Sequence, residues 1–178
     1  MMAEGVVKLV RTSADGKELL LDLRRPHEVF GEIALLDGGE RPAAAEAMRT
    51  PTRVLIIRRE PLLELVEKSP VLSGELLVSF GALLREAIER AFDYVFLDLK
   101  GRVSKVLIEF ARDIGTPVEE GTAIELDLHQ GEVAALVGGS RPAVNKILKD
   151  LESRGYIRLE GRRITVLQPQ QLIRRAGY

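Results

Sequence analysis

The chain contains no cysteine and only two histidines, His27 and His129. The lack of cysteine excludes disulfides, cysteine-ligated zinc, iron–sulfur clusters and any thiol nucleophile or thiol redox sensor. Two histidines far apart in the sequence argue against a histidine-rich metal site, although sites built from carboxylates stay open. We therefore expect no bound metal, and we expect both histidines to be structural or surface residues.

Long apolar runs are also missing. No stretch of about eighteen apolar residues occurs, and the start, MMAEGVVKLVRT, lacks the basic-then-apolar order of a secretory signal. The sequence has no nucleophile motif and no glycine loop that would cradle a phosphate, so an enzyme is not expected. We predict a cytoplasmic protein without membrane contact. With 178 residues, 46% of them hydrophobic, it can bury the core of one or two domains.

Charge is unevenly distributed along the chain. Residues 141–178 hold nine Lys and Arg against three Asp and Glu, a surplus of six positive charges. Because the net charge of the whole chain is −1, the remaining 140 residues carry a net −7. This asymmetry favours a polyanion as the partner of the C-terminal part, and a solvated basic tail is the alternative.

The first part of the chain reads as strands. VVKLVRTSADGKELLLDLRR holds two β-rich runs around Asp15-Gly16, which predicts a tight hairpin. In the following segment, glycines and prolines interrupt short apolar runs up to residue 60. This pattern is typical of a compact β-domain with one irregular loop, which we place at residues 1–70.

A long helix is predicted next, over residues 71–99. Its apolar residues recur at three- and four-residue steps without an internal proline, and the helix is longer than the globular average. Its apolar stripe is wider than one small β-domain would cover, so we expect a second copy of the helix as its partner. The alternative is a helix packed wholly within its own chain. The residues expected at the dimer interface are Leu76, Phe80, Leu83, Ala87 and Ala91.

The last part, residues 100–178, begins with a helix over KGRVSKVLIEFARDIG and a short strand, AIELDL. We expect the domain boundary near Asp98 to Arg102. A short helix over residues 130–137 is then broken by Gly138-Gly139. Ser140 suits the N-cap of the helix that follows, and Pro142 is tolerated because it falls in the first turn.

Two helices joined by a glycine turn predict a helix-turn-helix. The alternative is a structural corner of two helices, since any such corner with a glycine turn shows the same pattern. The buried stripe of the second helix is predicted to consist of Val144, Ile147, Leu148 and Leu151. The side chains expected to point outward toward base edges are Arg141, Asn145, Lys146 and Lys149. Beyond this helix, YIRLEGRRITVL predicts a β-hairpin wing around Glu160-Gly161. Its candidate phosphate contacts are Arg158, Arg162 and Arg163.

Three stretches resemble the cyclic-AMP receptor/fumarate-nitrate regulator (CRP/FNR) family of bacterial transcription regulators. FGEIALLDGGERPA is similar to the phosphate-binding cassette of the family, and YVFLDLKGRVSKVLIEFA to the end of its dimer helix and hinge. VGGSRPAVNKILKDLESRGYIRL is similar to its recognition helix. The resemblance implies an α+β fold with a cyclic-nucleotide-binding-type β-roll, a long dimerisation helix and a C-terminal winged helix-turn-helix.

The resemblance also implies a homodimer that binds palindromic double-stranded promoter DNA. The recognition positions of the family, an arginine, a glutamate and a second arginine, hold Arg141, Pro142 and Lys146 here, with Ser140 before them. The missing glutamate removes an acceptor for a base amino group, so the half-site is expected to differ. RNA polymerase would be a further partner of an activator, and no residue here identifies the surface that it would contact.

The effector site of the family is matched only in part. Gly31, Glu32 and Arg41 occupy the positions that bind the ribose and cyclic phosphate, but Pro42 replaces a serine. The positions that contact adenine with hydroxyls hold Ala87 and Ile88. The chain also starts where the family is already inside the β-roll, so it is either a short member or has its true start upstream.

The leading hypothesis is therefore a dimeric, sequence-specific transcription regulator that does not depend on cyclic AMP and requires no cofactor. The alternative is a cyclic-nucleotide-gated regulator that uses Gly31, Glu32 and Arg41. The two differ in whether added nucleotide changes the affinity for DNA.

Overall fold

The structure is a computed structural model that describes residues 1–16, 18–48, 50–125 and 130–177. It divides into two compact units, Met1–Ala87 and Ile88–Tyr178. The first unit contains β1 (Met2–Glu4), β2 (Val7–Thr12), β3 (Glu18–Arg24), α1 (Glu32–Asp37), β4 (Ala44–Ala47), β5 (Arg53–Val54), α2 (Arg59–Lys68) and most of α3 (Pro70–Phe96). The second contains the end of α3, α4 (Leu99–Ile114), β6 (Thr116–Val118), β7 (Gly121–Glu125), α5 (Gln130–Leu136), α6 (Arg141–Ser153), β8 (Ile157–Glu160), β9 (Arg163–Val166) and α7 (Pro169–Arg175).

An antiparallel sheet in the order β3-β2-β4 lies at the centre of the first unit. The predicted hairpin is confirmed, because β2 pairs with β3 and Gly16 takes a left-handed φ of 78° in the turn between them. β1 and β5 form a separate antiparallel pair. The irregular loop that the sequence predicted contains the short helix α1. The buried apolar side chains described in this unit are Met2, Val7, Val10 and Leu20.

The predicted long helix is confirmed as α3, with 27 residues. None of them is buried within the chain. α3 gives way to α4 at Leu97 and Asp98, where the Asp98 carboxylate accepts a hydrogen bond from the Gly101 N–H at 2.7 Å and caps α4. The break between α3 and α4 lies close to Asp98, whereas the compact units divide earlier, after Ala87.

A four-stranded antiparallel sheet in the order β6-β7-β9-β8 packs with helices in the second unit. Each element contributes apolar residues at its own period, three to four for the helices and two for the strands, so their buried faces meet in one core. The largest side chains in this core are Leu107 on α4, Ile124 on β7, Leu151 on α6, Ile157 on β8 and Leu172 on α7.

The α+β class predicted from the sequence is confirmed by this architecture. Sequence reasoning did not identify α2, β6 or α7. The predicted strand AIELDL is found as β7, and its last residues lie outside the described part of the chain, together with His129. No helix among the described residues is both long and apolar enough to cross a lipid bilayer.

Candidate nucleic-acid interface

The turn between α5 and α6 is as tight as the sequence predicted. Gly138 ends α5 with a left-handed φ of 62°, and a Cβ added there would lie 2.6 Å from Cε1 of Tyr94. A Cβ at Gly139 would lie 2.6 Å from Cδ1 of Leu99. The backbone angle at Gly138 therefore favours glycine, whereas a Cβ at Gly139 would require the end of the Leu99 side chain to move.

α6 begins at the predicted residue. Ser140 is extended, and its hydroxyl oxygen accepts a hydrogen bond from the Ala143 N–H at 3.4 Å. Pro142 lies in the first turn, where its missing N–H leaves no helical hydrogen bond unmade. Of the predicted stripe, Ile147 is half-buried. The fully buried members are Val144, Leu148 and Leu151.

Three of the four side chains predicted to point outward from α6 do so. Arg141, Lys146 and Lys149 are exposed. Asn145 is not: it is half-buried, and its Oδ1 is buried without a hydrogen-bond partner among the described residues. Asn145 directly follows the fully buried Val144, so it lies at the edge of the stripe that packs into the core. The exposed charged side chains in the first part of α6 are therefore all basic, with Pro142 exposed between them.

The wing is present, with its loop one residue later than predicted. β8 pairs with β9 so that Glu160 lies opposite Arg163, and Gly161 and Arg162 form the loop. Arg162 is exposed at this tip. Arg158 is also exposed, but its guanidinium is paired with the carboxylate of Glu120.

Arg163 lies between two acidic positions of the sheet. In the register of β9, it faces Glu160 on β8 and Glu125 on β7. Its side chain is half-buried, and its Nε is buried without a hydrogen-bond partner among the described residues. Opposite charges on neighbouring strands attract one another, so Arg163 is less available to a phosphate than Arg162.

An ion-pair network connects the far end of α6 to α4. The Asp150 carboxylate is bound by the Lys100 ammonium and, at 2.9 Å, by Nε of Arg154. The hydrogen bond from Lys100 is the main reason that the pKa of Asp150 lies below its ordinary value, and Arg154 lowers it further. Pairing with Asp150 likewise raises the pKa of Arg154. The carboxylate therefore stays ionised and holds α6 against the first turn of α4.

The three candidate effector residues are brought together in the first unit. Gly31 precedes α1 with a left-handed φ of 79°, and a Cβ added there would overlap Nη1 of Arg41. The Oε2 of Glu32 is buried without a hydrogen-bond partner among the described residues. A guanidinium can bind a phosphate, and an unpartnered carboxylate oxygen can accept a hydrogen bond from a hydroxyl. These residues fit a cyclic nucleotide in that respect.

The predicted dimer-interface residues are only partly exposed on α3. Leu76, Phe80 and Leu83 are half-buried within their own chain, whereas Ala87 and Ala91 are exposed. Other faces of this helix carry large apolar residues that are more exposed: Leu77, Leu84, Ile88 and Val95 at 58–73%, and Val71, Val78 and Phe96 at 67–76%. Leu76, Phe80, Leu83, Ala87 and Ala91 stay predictions for the dimer interface.

One face of α3 carries small and apolar residues at a regular spacing, and we call this face the seam. Its positions alternate at steps of three and four residues, the period of a coiled coil. They are Gly74, Leu77, Gly81, Leu84, Ile88, Ala91 and Val95. Because α3 is apolar on more than one face, periodicity alone did not distinguish the seam from the face that the chain covers itself.

Sequence reasoning missed two residues beside the turn, Tyr94 and Arg102. Both lie in the predicted hinge region, and their side chains contact the end of α5. The contact joins residues more than thirty positions apart, so the sequence carries no local signal for it.

Comparisons with known proteins match both units. A model of the Crp-like helix-turn-helix domain matches residues 101–175, and a model of the cyclic nucleotide-binding domain matches residues 1–69. These two ranges contain the candidate DNA-binding and effector residues, respectively.

Relatives and solved structures extend this match. The chain is 38% identical over 178 residues to a CRP-like cAMP-activated global transcriptional regulator of Mycobacterium tuberculosis, covering 99% of this chain and 78% of that protein. It is 35% identical over 159 residues to the cyclic AMP receptor protein of Thermus thermophilus, covering 89% of this chain and 70% of that protein.

A crystal structure of a CRP/FNR-family transcriptional regulator from Thermus thermophilus superposes with a TM-score of 0.78 at 30% identity. The superposition covers 99% of this chain and 86% of that one. The basic start of α6, the wing and the β-roll with its Gly31, Glu32 and Arg41 cluster are thus parts of one known architecture, and the chain belongs to the CRP/FNR family of bacterial transcription regulators.

Proposed function

We propose that this regulator binds a palindromic promoter site as a homodimer and that its binding does not depend on cyclic AMP. The observation that carries the proposal is the set of exposed basic side chains in the first part of the capped helix α6, Arg141, Lys146 and Lys149. In a helix-turn-helix, the N-terminal residues of the second helix reach base edges in the major groove.

Arg141 and Lys146 are proposed to read bases, because both can donate to the O6 and N7 of guanine. Pro142 offers no acceptor to a base amino group, so the half-site differs from one read through a glutamate. Lys149 and Arg162 are proposed to contact phosphates, which position the protein without carrying sequence information. Arg158 and Arg163 are secondary candidates, since carboxylates already lie beside them.

The seam supports the homodimer. A helix of 27 residues without a buried side chain requires a partner to cover its apolar residues, and a second copy offers the same three-and-four spacing. Two-fold symmetry then places the recognition helices on half-sites about one turn of DNA apart. In this proposal, residues 1–70 form the effector-sensing domain, residues 71–99 the dimerisation helix and residues 100–178 the DNA-binding domain.

Independence from cyclic AMP is supported by three residues. Pro42 has no hydroxyl for the cyclic phosphate, and Ala87 and Ile88 have none for adenine. The alternative, gating by a cyclic nucleotide, is favoured by the buried unpartnered Oε2 of Glu32 and by the Arg41 guanidinium that lies against Gly31. There, Glu32 would accept a hydrogen bond from a ribose hydroxyl and Arg41 would pair with the phosphate.

Selection of bound duplexes from a random pool at one near-physiological salt concentration, with and without cyclic AMP, tests the proposal. We expect the same palindrome to be enriched in both arms. Enrichment only with cyclic AMP would establish the gated alternative, and enrichment of no palindrome would refute sequence-specific binding. If transcription rises at the selected sites, RNA polymerase is the further partner to seek.

A further inference from the structure

Arg102, on the first turn of α4, joins the end of α3 to the end of α5. Its Nη1 donates a hydrogen bond to the carbonyl oxygen of Leu97 at 2.8 Å, and its Nε donates one to that of Val137 at 2.9 Å. Leu97 directly follows α3, and Val137 directly follows α5. Carbonyl groups at helix C-termini lack partners within the helix and carry the negative end of its dipole. A positively charged guanidinium that binds the C-terminal carbonyl groups of two helices at once is therefore strongly favoured.

Tyr94, on the last turn of α3, completes this contact. The guanidinium carbon of Arg102 lies 5.1 Å from the centroid of the Tyr94 ring, within the range of a cation–π interaction. The ring also lies against Gly138, where an added Cβ would clash with it, and the Tyr94 hydroxyl donates to the carbonyl oxygen of Leu136 at 3.5 Å. Gly138 opens the turn that leads to Ser140, the N-cap of α6. The ring thus connects α3 to the turn that immediately precedes α6.

We propose that Tyr94 and Arg102 form a latch that fixes the recognition helix α6 relative to the end of α3. The latch consists of these two side chains and the carbonyl groups of Leu97 and Val137. The inference rests on the proposed function: if two copies meet along α3, the latch sets the distance between their recognition helices and hence the half-site spacing that they accept. Tyr94 and Arg102 are positioning residues, and neither has to touch DNA.

A separate contact holds α4 to α3 and makes the latch testable. The ammonium of Lys105, only 8% exposed, lies 2.7 Å from the carboxylate of Asp93 on α3. This ion pair involves neither α5 nor the turn. A change at Arg102 therefore frees the turn while the connection between α3 and α4 remains.

The informative variant is Arg102→Lys, which keeps the charge but cannot hold two carbonyl groups with one planar fork. The matched control is Arg112→Lys, an exposed position on the same helix. The first measurement is amide hydrogen exchange without DNA. The Gly139 N–H, which donates to the Ala134 carbonyl at 2.9 Å, should exchange faster in Arg102→Lys and unchanged in Arg112→Lys.

The second measurement uses the palindrome selected by the wild-type protein. It is compared with duplexes whose spacer is one or two base pairs longer or shorter, and with one whose second half-site is scrambled. We expect Arg102→Lys to bind the palindrome about tenfold more weakly and to lose its preference among spacers. Its affinity for the duplex with one half-site should match that of the wild type. Tyr94→Ala should behave like Arg102→Lys. Tyr94→Phe keeps the ring and loses only the long 3.5 Å hydrogen bond to Leu136, so it should stay close to the wild type.

Two results would overturn the latch. If Arg102→Lys keeps the wild-type spacer preference, Arg102 only stabilises the fold, whatever the loss in affinity. If exchange at Gly139 is unchanged, Arg102 does not hold the turn, and this result is independent of DNA binding. A wild-type protein that selects no palindrome overturns the proposed function and, with it, the role of the latch in spacing.

Discussion

The two units bury very different amounts of apolar surface on their own. Among the described residues, four apolar side chains are buried in the first unit and fifteen in the second. The first unit also leaves a run from Val54 to Ile57 exposed, with Ile56 at 80%. Burial of apolar surface is the main favourable term in folding, so the second unit is the self-sufficient one. The stability of the first depends more on what covers it.

The largest effect is expected from a substitution in the seam, whose apolar side chains stay exposed unless a partner covers them. Leu84→Asp would bury an uncompensated carboxylate from each copy, at about 4 kcal/mol. We expect monomers in sedimentation experiments and loss of binding to the palindrome. Ala82→Asp places the same charge on an exposed position outside the seam and should leave the dimer intact. Dimers formed by Leu84→Asp would show that the seam is not the interface.

The next effect compares the two units directly. Leu151→Ala removes a fully buried side chain from the core of the second unit and should lower the free energy of unfolding by about 3 kcal/mol. Leu55→Ala, in the exposed run of the first unit, should change it by less than about 0.5 kcal/mol. Denaturant unfolding followed by circular dichroism measures both. A large loss from Leu55→Ala would mean that this run is covered in solution.

A smaller effect separates base reading from phosphate contact within the second unit. Arg141→Ala should cost about 2 kcal/mol on the selected palindrome and little on unrelated DNA. Arg162→Ala should weaken binding to both alike and reduce the salt dependence by about one phosphate contact. Titrations at several salt concentrations measure these changes. Equal loss of specificity from both variants would contradict the assigned roles.

The sequence predicts Arg163, like Arg162, as a phosphate contact, whose loss would weaken binding to all DNA alike. Its position between Glu160 and Glu125 now predicts a smaller loss than for Arg162→Ala. The same titrations compare the two wing positions. A larger loss from Arg163→Ala would show that the neighbouring carboxylates do not restrain it.

The smallest effect concerns a carboxyl group of the second unit. Burial raises the pKa of Glu109 above its ordinary value of 4.5, Lys105 opposes this, and Asp93 adds to it. The folded state thus favours the protonated acid, and the ionised form costs stability at neutral pH. Glu109→Gln should melt slightly higher than the wild type at pH 7, with the difference vanishing below about pH 4.5. The exposed Glu119→Gln should show no such difference.

Local signals predicted the parts of this molecule that local chemistry determines. The hairpin turn at Gly16, the cap by Ser140 and the break at Gly138 each follow from the preference of one residue for one backbone conformation. These signals did not predict the partial burial of Asn145, because a side chain next to a buried stripe can lie either in the core or at the surface.

Other features depend on which segments meet in three dimensions. The neighbours of Arg163 follow from strand register, and the contact of Arg102 with Val137 follows from where α5 ends. Leu76 and Leu77 are chemically alike, so only the covered face of α3 shows which of them is left for a partner.

Gly74 and Gly81, in the first half of the seam, also lower the intrinsic stability of α3 as a helix. Glycine inside a helix costs about 1 kcal/mol relative to alanine, and this half of α3 has no buried side chain to offset the cost. The same glycines let a second helix approach closely. If two copies associate along the seam as proposed, helix formation and association are coupled, and dilution should melt the first half of α3. The cellular concentration of the protein would then determine what fraction of it forms dimers in which a fully helical α3 connects the two DNA-binding domains.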